Sequence, residues 1–484
     1  MRQSELRQSD NVFEVIPVST DMIADTLTPV SAYLRLRGSG SHSFLFESVE
    51  GTERLARYSI IGTSPAVALR CRRNVTTVTS EGGHGTTGGN FFDTLRRELA
   101  RYRCAEADGS LPFVCGFVGY IGYDMIHQIE KVRGASDELP RGDVAHLELF
   151  TSLIIFDHAR HRILLTANAI VKTGAEREAA CAGARKELER LRARLEGPLP
   201  EVEPFRPSGI TAAWNRTEFC EAVRRAQRYI YEGDIFQAVL SQSFTAGFTG
   251  DPFAAFRALR IINPSPYLYY IDFGDETVIG SSPEVLVRNN GGRCEVYPIA
   301  GTRRRGNTEE EDRHLEAELL TDEKERAEHI MLVDLGRNDL GRVCVPGSVR
   351  VDESMSVVRY SHVMHMASRV CGQLAPERDC VDLFRAVFPA GTVSGAPKIR
   401  AMEIIAELER EPRGLYAGGV GYFDCAGNMD MCIAIRTMVT SGNRLSFRAG
   451  AGIVADSDPD AEYRETISKS RALTEALQLA ERIV

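Results

Sequence analysis

TDEKERAEHIMLVDLGRND, residues 321–339, is the stretch from which the rest of the fold can be read outward. Its apolar residues recur at helical spacing. Acidic residues crowd its first turns, where the helix dipole favours them, and Gly336 marks its expected end. Glu325 and Glu328 stand three apart and share a face. Glu328 also continues the line of Met331, Leu332 and Leu335, an apolar stripe that should point inward. A carboxylate on such a stripe is costly unless a cation meets it. Two readings are open, a solvated ion pair and half of a metal site. A second Glu-x-x-Glu, at Glu462 and Glu465, repeats the pattern near the C-terminus.

A chain of 484 residues exceeds one typical core, so two domains or one large composite are expected. Hydrophobic content of 43% and charged content of 26% describe an ordinary globular protein. A formal charge of -9 argues against nucleic acid or an anionic membrane as the main partner, so any anionic substrate needs locally concentrated positive charge. The eleven cysteines are scattered, odd in number and never form CxxC. This is the pattern of reduced thiols rather than of disulfides or zinc. The polar opening MRQSELRQSD has no signal-peptide core, and no apolar run approaches the roughly 20 residues that span a bilayer. The expectation is a soluble cytoplasmic protein.

Residues 12–80 alternate short apolar runs with turn residues, as half-buried strands do, and helices are expected across Pro29–Leu36 and Phe91–Arg101. ELFTSLIIFD and RILLTANAIV read as a hairpin, followed by a charged helix from about Gly174 to Leu195. The proline-rich, aperiodic GPLPEVEPFRPSG, from Gly197, suggests a boundary: an N-terminal domain over 12–196, a linker over 197–212 and a C-terminal domain over 213–480. The C-terminal part mixes strands and helices without strict βαβ alternation, which predicts an α+β fold. Helices are expected at 215–232, 252–260, 308–335, 379–387, 395–410 and 459–483. Strands are expected at 236–246, 267–273, 283–289, 293–299, 362–371, 416–424, 429–439 and 444–455.

Three glycine clusters stand out: AGTVSGAPKIR at 390–400, YAGGVGY at 416–422 and AGAG at 449–452. The first enters a helix but does not fit the nucleotide P-loop pattern, although backbone amides at a helix start bind carboxylates well. Each of the others could be a bulged strand. Arg436, within the apolar CIAIRTM, needs an anionic partner, and bidentate carboxylate binding suits it. His365 lies in the alternating SHVMHMASRV, where a core role and a catalytic one are both open. Glu284, in GSSPEVLV, opens a strand after a proline turn.

PIAGTRRRG, DEKERAEHIMLVDLGRNDLGRV, SHVMH, PAGTVSGAPK, LYAGGVGYFD, IAIRTM and AGAGIVADSDPDAEYRET occur in this order. Together they resemble the chorismate-utilising enzymes over about residues 213–480, and within them the anthranilate synthase component I branch. FLFESVEG and RYSIIG extend the likeness into the N-terminal part. The resemblance implies two packed, mostly antiparallel sheets flanked by helices, with an N-terminal regulatory portion. It implies a lyase of tryptophan biosynthesis that joins ammonia to chorismate and releases anthranilate and pyruvate.

By this likeness Glu325, Glu328, Glu462 and Glu465 match a Mg²⁺ site, Glu328 and Glu465 most directly. Gly301, Thr302, Tyr416, Arg436, Gly450, Ala451, Gly452 and Lys469 match positions that hold the substrate's carboxylates. Glu284 matches the acid that protonates the departing C4 hydroxyl, and His365 and Thr392 match residues around the elimination of pyruvate. Gln237 stands where water-adding relatives carry a lysine base, and Ala300 stands where C4-aminating relatives carry a nucleophilic lysine. Both argue against isochorismate and aminodeoxychorismate synthases. A non-catalytic tryptophan-binding subunit is a further alternative, disfavoured because both Glu-x-x-Glu pairs, His365, Glu284 and Arg436 are intact. Glu47, Ser48, Pro266, Tyr267 and Leu268 match the elements that bind inhibitory L-tryptophan. The nearest thing to an amidotransferase elbow is FDCAG at Cys425, which lacks its first glycine. The expectation is therefore a separate glutamine amidotransferase subunit, in a heterotetramer of two large and two small chains.

Overall fold

Asp322 ends one helix and starts the next. The expected single helix over 308–335 is two, Glu309–Thr321 and Glu323–Gly341, in the computed structural model of the chain. The Asp322 backbone is extended, and its carboxylate accepts from the amides of Lys324 and Glu325 at 3.0 and 3.1 Å. Such an N-cap is worth about 1 kcal/mol. The second helix also continues past Gly336 to Gly341. Gly336 serves close packing instead of termination, since a Cβ there would lie 3.0 Å from Val296 Cγ2. The structure describes residues 12–483 except 24, 39–41, 49–56, 81–82, 88, 105–112, 134–141, 173–175 and 360–362. The expected helix start at Gly174, the end of FLFESVEG and the first two residues of SHVMH therefore lie outside the described residues.

Two sheets carry the fold. Over the described residues, to which both strand counts refer, the first has fourteen strands. Its centre runs in the order Arg444–Ile453, Thr437–Ser441, Glu276–Ser282, Tyr267–Asp272, Ser43–Glu47, Tyr58–Thr63, Ser152–Asp157 and Arg162–Val171. The second has twelve, with Arg293–Val296, Val285–Asn290, Met429–Ile433, Gly419–Asp424, Gly116–Ile121, Ala145–Phe150 and Val67–Arg72 at its centre. Among the described residues, all the strand pairings are antiparallel except that of Phe13–Ile23 with Tyr102–Cys104. Strands from before and after the 197–212 segment meet at a seam in each sheet. Leu268 opposes Glu47 in the first sheet, and Val420 opposes Tyr120 in the second.

Aromatic and branched side chains from both sheets close the space between them. Phe44 of the first meets Phe150 of the second edge-on, with ring centroids 4.8 Å apart. On the outer face of the first sheet pack Pro29–Leu36, Arg177–Leu195, Phe253–Ile262 and Pro459–Ala480. Phe91–Leu99, Cys380–Val387 and the end of Glu323–Gly341 cover the second. The result is the expected α+β architecture of two packed antiparallel sheets between helical layers.

Several strands change sheets, which the sequence reading did not anticipate. The run expected as one strand over 429–439 is two, Met429–Ile433 in the second sheet and Thr437–Ser441 in the first. The hairpin expected from ELFTSLIIFD likewise crosses at Thr151, between Ala145–Phe150 and Ser152–Asp157. Among the strands that went unread are Glu276–Ser282, Ile299–Arg304 and Arg350–Arg359. The last is largely exposed, so its sequence carries little apolar alternation.

Candidate active site

Two crossovers between the sheets set the chemistry. Glu284 lies between Glu276–Ser282 and Val285–Asn290. Its backbone is fixed by the amide of Ile433, which donates to Glu284 O at 3.0 Å. Arg436 lies at the other crossover with φ of 50°, so it is not the in-strand arginine expected. Left-handed backbone turns its side chain out of the strand direction, and its Nη1 donates to Asn263 Oδ1 at 3.0 Å.

Burial raises the Glu284 carboxyl from its ordinary 4.5 to about 7. The Thr392 hydroxyl, Lys469 and Arg436 pull the other way without overcoming it. Thr392 Oγ1 is itself buried, and its contact with the carboxyl falls short of ordinary hydrogen-bond geometry. Leu332, Leu335, Val387 and Gly391 wall the small cavity of about 50 Å³ into which Glu284 and Thr392 face. A carboxyl poised near neutrality in a dry wall can donate a proton.

His365 is anchored at Nδ1. Nδ1 donates to Gly301 O at 3.0 Å and lies 3.0 Å from Thr302 Oγ1, which leaves Nε2 as the basic nitrogen. Burial lowers its pKa below 6.5, the Gly301 carbonyl opposes that, and the charge of Arg436 lowers it further. His365 is thus a neutral imidazole at pH 7. Gly301 reaches it with φ of 71°, at a bulge in the pairing of Ile299–Arg304 with Val363–Gln373.

The two Glu-x-x-Glu pairs occupy matching places on two helices. Asp322 caps the first, and Asp458 caps Pro459–Ala480, accepting from the Ala461 amide at 2.7 Å. Both pairs fall in the opening turns, where the helix dipole offsets negative charge. Glu328 Oε1 accepts from Gln237 Nε2 at 3.0 Å. The other amide atom, Gln237 Oε1, is buried and has no partner among the described residues. Glu465 pairs with Lys469 at 2.7 Å, and Lys469 also donates to Gly450 O at 3.1 Å. Glu462 is shifted upward by burial, with the neighbouring Glu465 adding to the shift. Glu462 beside Glu465, and Glu328 beside the unsatisfied Gln237 oxygen, offer oxygen donors of the kind Mg²⁺ takes. Glu325, like Glu465, has a cationic partner, Arg303 Nη1 at 3.1 Å.

Glycines form the floor. A Cβ on Gly452 would lie 2.9 Å from Gln237 Nε2, and one on Gly450 2.5 Å from the Tyr416 hydroxyl. Ala451 between them is fully buried and pairs with Leu240. Tyr416 is pushed to about 12, chiefly by burial. Beneath it lies a network that the motif reading passed over. Arg413 stacks on Tyr123 and Tyr416 at 4.6 and 5.6 Å. Its guanidinium meets Glu409 at 2.6 Å, and Arg448 reaches the same carboxylate at 3.1 Å. Glu409 also accepts from the amide and hydroxyl of Ser241 at 2.8 and 3.0 Å. The structure therefore gathers the expected catalytic, substrate and metal residues around one centre.

The five residues expected to bind inhibitor lie elsewhere. Glu47, Ser48, Pro266, Tyr267 and Leu268 line a cavity of about 150 Å³ between the two sheets, at their seam. Tyr58, Val420 and Tyr422 complete its apolar walls. Tyr267 donates to Asp430 Oδ1 at 2.6 Å, and Arg288 donates to the same oxygen at 3.0 Å. Arg288, Asp430 and Tyr422 were not singled out from the sequence, because nothing in their spacing ties them to FLFES. The Ser48 hydroxyl is buried and has no partner among the described residues.

A family model described as chorismate binding enzyme matches residues 41–475. The anthranilate synthase component 1 of Aquifex aeolicus is 45% identical over 99% of this chain and 97% of its own length. That of Acetivibrio thermocellus is 42% identical over 97% and 96%. The chain belongs to the anthranilate synthase component I branch of the chorismate-binding enzymes. The crystal structure of anthranilate synthase component I from Streptococcus pneumoniae TIGR4 is 38% identical, with a TM-score of 0.76 over 94% of this chain and 99% of that one. MenF, the menaquinone-specific isochorismate synthase of Escherichia coli, shares the fold at 20% identity with a TM-score of 0.72. Among the described residues of this component I chain, no helix is long and apolar enough to cross a membrane.

Proposed function

We propose that the chain catalyses the chorismate half of an anthranilate synthase, using ammonia delivered by a separate glutamine amidotransferase subunit in a two-plus-two heterotetramer. The observation that carries this reading is the pairing of a raised acid, Glu284, with a neutral amide, Gln237, around one centre. Glutamine cannot deprotonate water, so an amine nucleophile is favoured over hydroxide. Glu284 protonates the C4 hydroxyl as ammonia attacks C2, and Thr392 orients that carboxyl. His365 Nε2 accepts the ring proton as pyruvate departs, while Gly301 and Thr302 hold its other nitrogen. Arg436, Lys469, Tyr416 and the backbone of Gly450–Gly452 receive the two substrate carboxylates. Mg²⁺ held by Glu328 and Glu465, with Glu325 and Glu462 around it directly or through water, would supply positive charge to the ring carboxylate.

The cavity between the sheets is assigned to L-tryptophan as feedback inhibitor, its aromatic walls taking the indole and Glu47 and Ser48 taking the polar end. On this reading residues 12–196 are regulatory, 197–212 a linker and 213–480 catalytic. The reaction is tested by incubating the purified chain with chorismate, Mg²⁺ and ammonium. Anthranilate supports the reading; isochorismate or 4-amino-4-deoxychorismate overturns it. Robust glutamine-dependent turnover by the chain alone would remove the separate amidotransferase. For regulation, saturating L-tryptophan should abolish activity and Ser48→Ala should weaken that inhibition. Insensitivity to tryptophan sinks the assignment.

A further inference from the structure

At the opposite end of Ser43–Glu47 from the inhibitor cavity, a second polar cluster crosses between the sheets. His42 stands immediately before this strand of the first sheet. His146 and Glu148 lie two apart on Ala145–Phe150 of the second, so they share a face. His146 and Glu148 are both fully removed from solvent, whereas the His42 side chain is about 35% exposed. Glu148 Oε1 meets the His42 Nδ1 and, at 3.1 Å, the His146 Nε2. The His146 ring is locked by stacking on Phe273, centroids 3.9 Å apart.

Hydrogen bonding alone does not satisfy this group. One carboxylate oxygen takes both imidazole contacts, while Glu148 Oε2 and His146 Nδ1 are buried with no partner among the described residues. A carboxylate withdrawn from water ordinarily spreads its bonds over both oxygens. The surroundings carry both signs of charge, with two aspartates favouring a cation and Arg70 opposing it. Asp272 acts electrostatically on His42, and Asp143 on His146. The nearby Arg70 is already engaged by Asp143 at 2.7 Å and Asp275 at 3.0 Å.

We propose that His42, His146 and Glu148 bind a divalent transition-metal ion of the zinc class, which ties the two sheets together at their seam. Two imidazoles and a carboxylate with one open position form a recurrent zinc set. The three donor atoms lie within 4.8 Å of one another, against about 3.3 Å around tetrahedral zinc. Glu148 Oε1 is already within that spacing of both imidazoles, and His42, as the partly exposed donor, has the room to adjust. Imidazole nitrogens select against Mg²⁺, which takes oxygen donors, so the site is chemically separate from the glutamate pairs.

The test is titration of the chelator-stripped full chain with Co²⁺. Binding as proposed gives the intense visible absorption of four-coordinate cobalt at one equivalent per chain, bleached by Zn²⁺ and untouched by excess Mg²⁺. His42→Ala should lose that equivalent while anthranilate synthase activity with ammonium is retained, and Zn²⁺ should raise the Tm of the parent chain but not of the variant. Weak six-coordinate absorption only overturns the proposal, as does an intense signal that persists unchanged in His42→Ala, which would locate the metal on cysteines instead. His42 is partly exposed, so its replacement leaves a folded chain even where a Glu148 variant does not.

Discussion

Gln237 Nε2 donates to Glu328 Oε1 at 3.0 Å, so the first residue of a strand fixes a carboxylate of a helix that lies 91 positions later in the chain. On the proposed reading the bond joins a neutral side chain where a base would activate water to a glutamate offered to a cation. It also orients the carboxylate, since Gln237 cannot withdraw the negative charge as a lysine would.

Replacing Gln237 with lysine puts an ammonium against Glu328. The new ion pair competes with Mg²⁺ for the same oxygen. Half-maximal activity should then require about tenfold more Mg²⁺, equivalent to roughly 1.4 kcal/mol. Titration of ammonium-dependent anthranilate formation with Mg²⁺ measures this. An unchanged Mg²⁺ requirement would detach Glu328 from the metal.

Glu284 supplies a prediction in both rate and stability. The acid works protonated, so kcat should fall as pH rises through about 7, while neutral His365 places the rising limb below 6.5. Glu284→Gln should lower kcat by about 10²–10⁴-fold and remove the upper limb. Stability follows pH in the same direction. A carboxyl whose folded pKa is raised from 4.5 to about 7 binds its proton more tightly when folded. Stability is therefore lost as pH rises from 4.5 through 7, by up to about 3 kcal/mol. Glu284→Gln should be more stable than the parent at pH 8, in urea melts, by part of that amount. A variant less stable than the parent at pH 8 would contradict the burial argument.

These residues were singled out by the ordered motifs and the family they resemble; local chemistry alone, in glutamates at helix starts, glycines flanking Ala451 and an arginine among apolar residues, left a purely structural reading open for each. The Glu-x-x-Glu helix was legible from its period, although Asp322 was not recognised as a cap that splits it. Sheet crossovers were not legible. A strand that changes sheets at 434–436 keeps its apolar character throughout, so periodicity runs on across the break where Arg436 turns. The same holds at Thr151. Nor does spacing reveal partners far apart in the chain. Tyr267 and Asp430 are 163 positions apart, and His42 and Glu148 are 106 apart.

The buried Glu409 should be the costliest of the polar residues behind Tyr416. Its Ala variant leaves Arg413 and Arg448 charged and uncompensated, with side chains only 2% and 8% exposed. Breaking a buried pair in this way costs about 3–5 kcal/mol. Chemical denaturation of Glu409→Ala measures it. The milder Glu409→Gln, which keeps acceptors for Ser241, should fold and show a raised KM for chorismate with a smaller change in kcat, because Arg413 then supports Tyr416 less firmly. A KM equal to the parent's would confine the network to stability.

Gly450 tests the floor of the site most directly. A methyl there would fall 2.5 Å from the Tyr416 hydroxyl and 2.9 Å from Leu240 O. The hydroxyl can move, but the backbone of Gln237–Thr249 is held by its ladder with Arg444–Ile453 and cannot. Gly450→Ala should therefore displace Tyr416 and also disturb the carbonyl that Lys469 reaches at 3.1 Å. Chorismate KM should rise about tenfold or more, a loss of at least roughly 1.4 kcal/mol in binding. Tyr416→Phe in the same chain removes the clashing oxygen, so the double variant should recover part of what Gly450→Ala loses, measured as KM in a double-mutant cycle. Strict additivity of the two changes would mean that the glycine is needed for its backbone alone and that Tyr416 does not share the space.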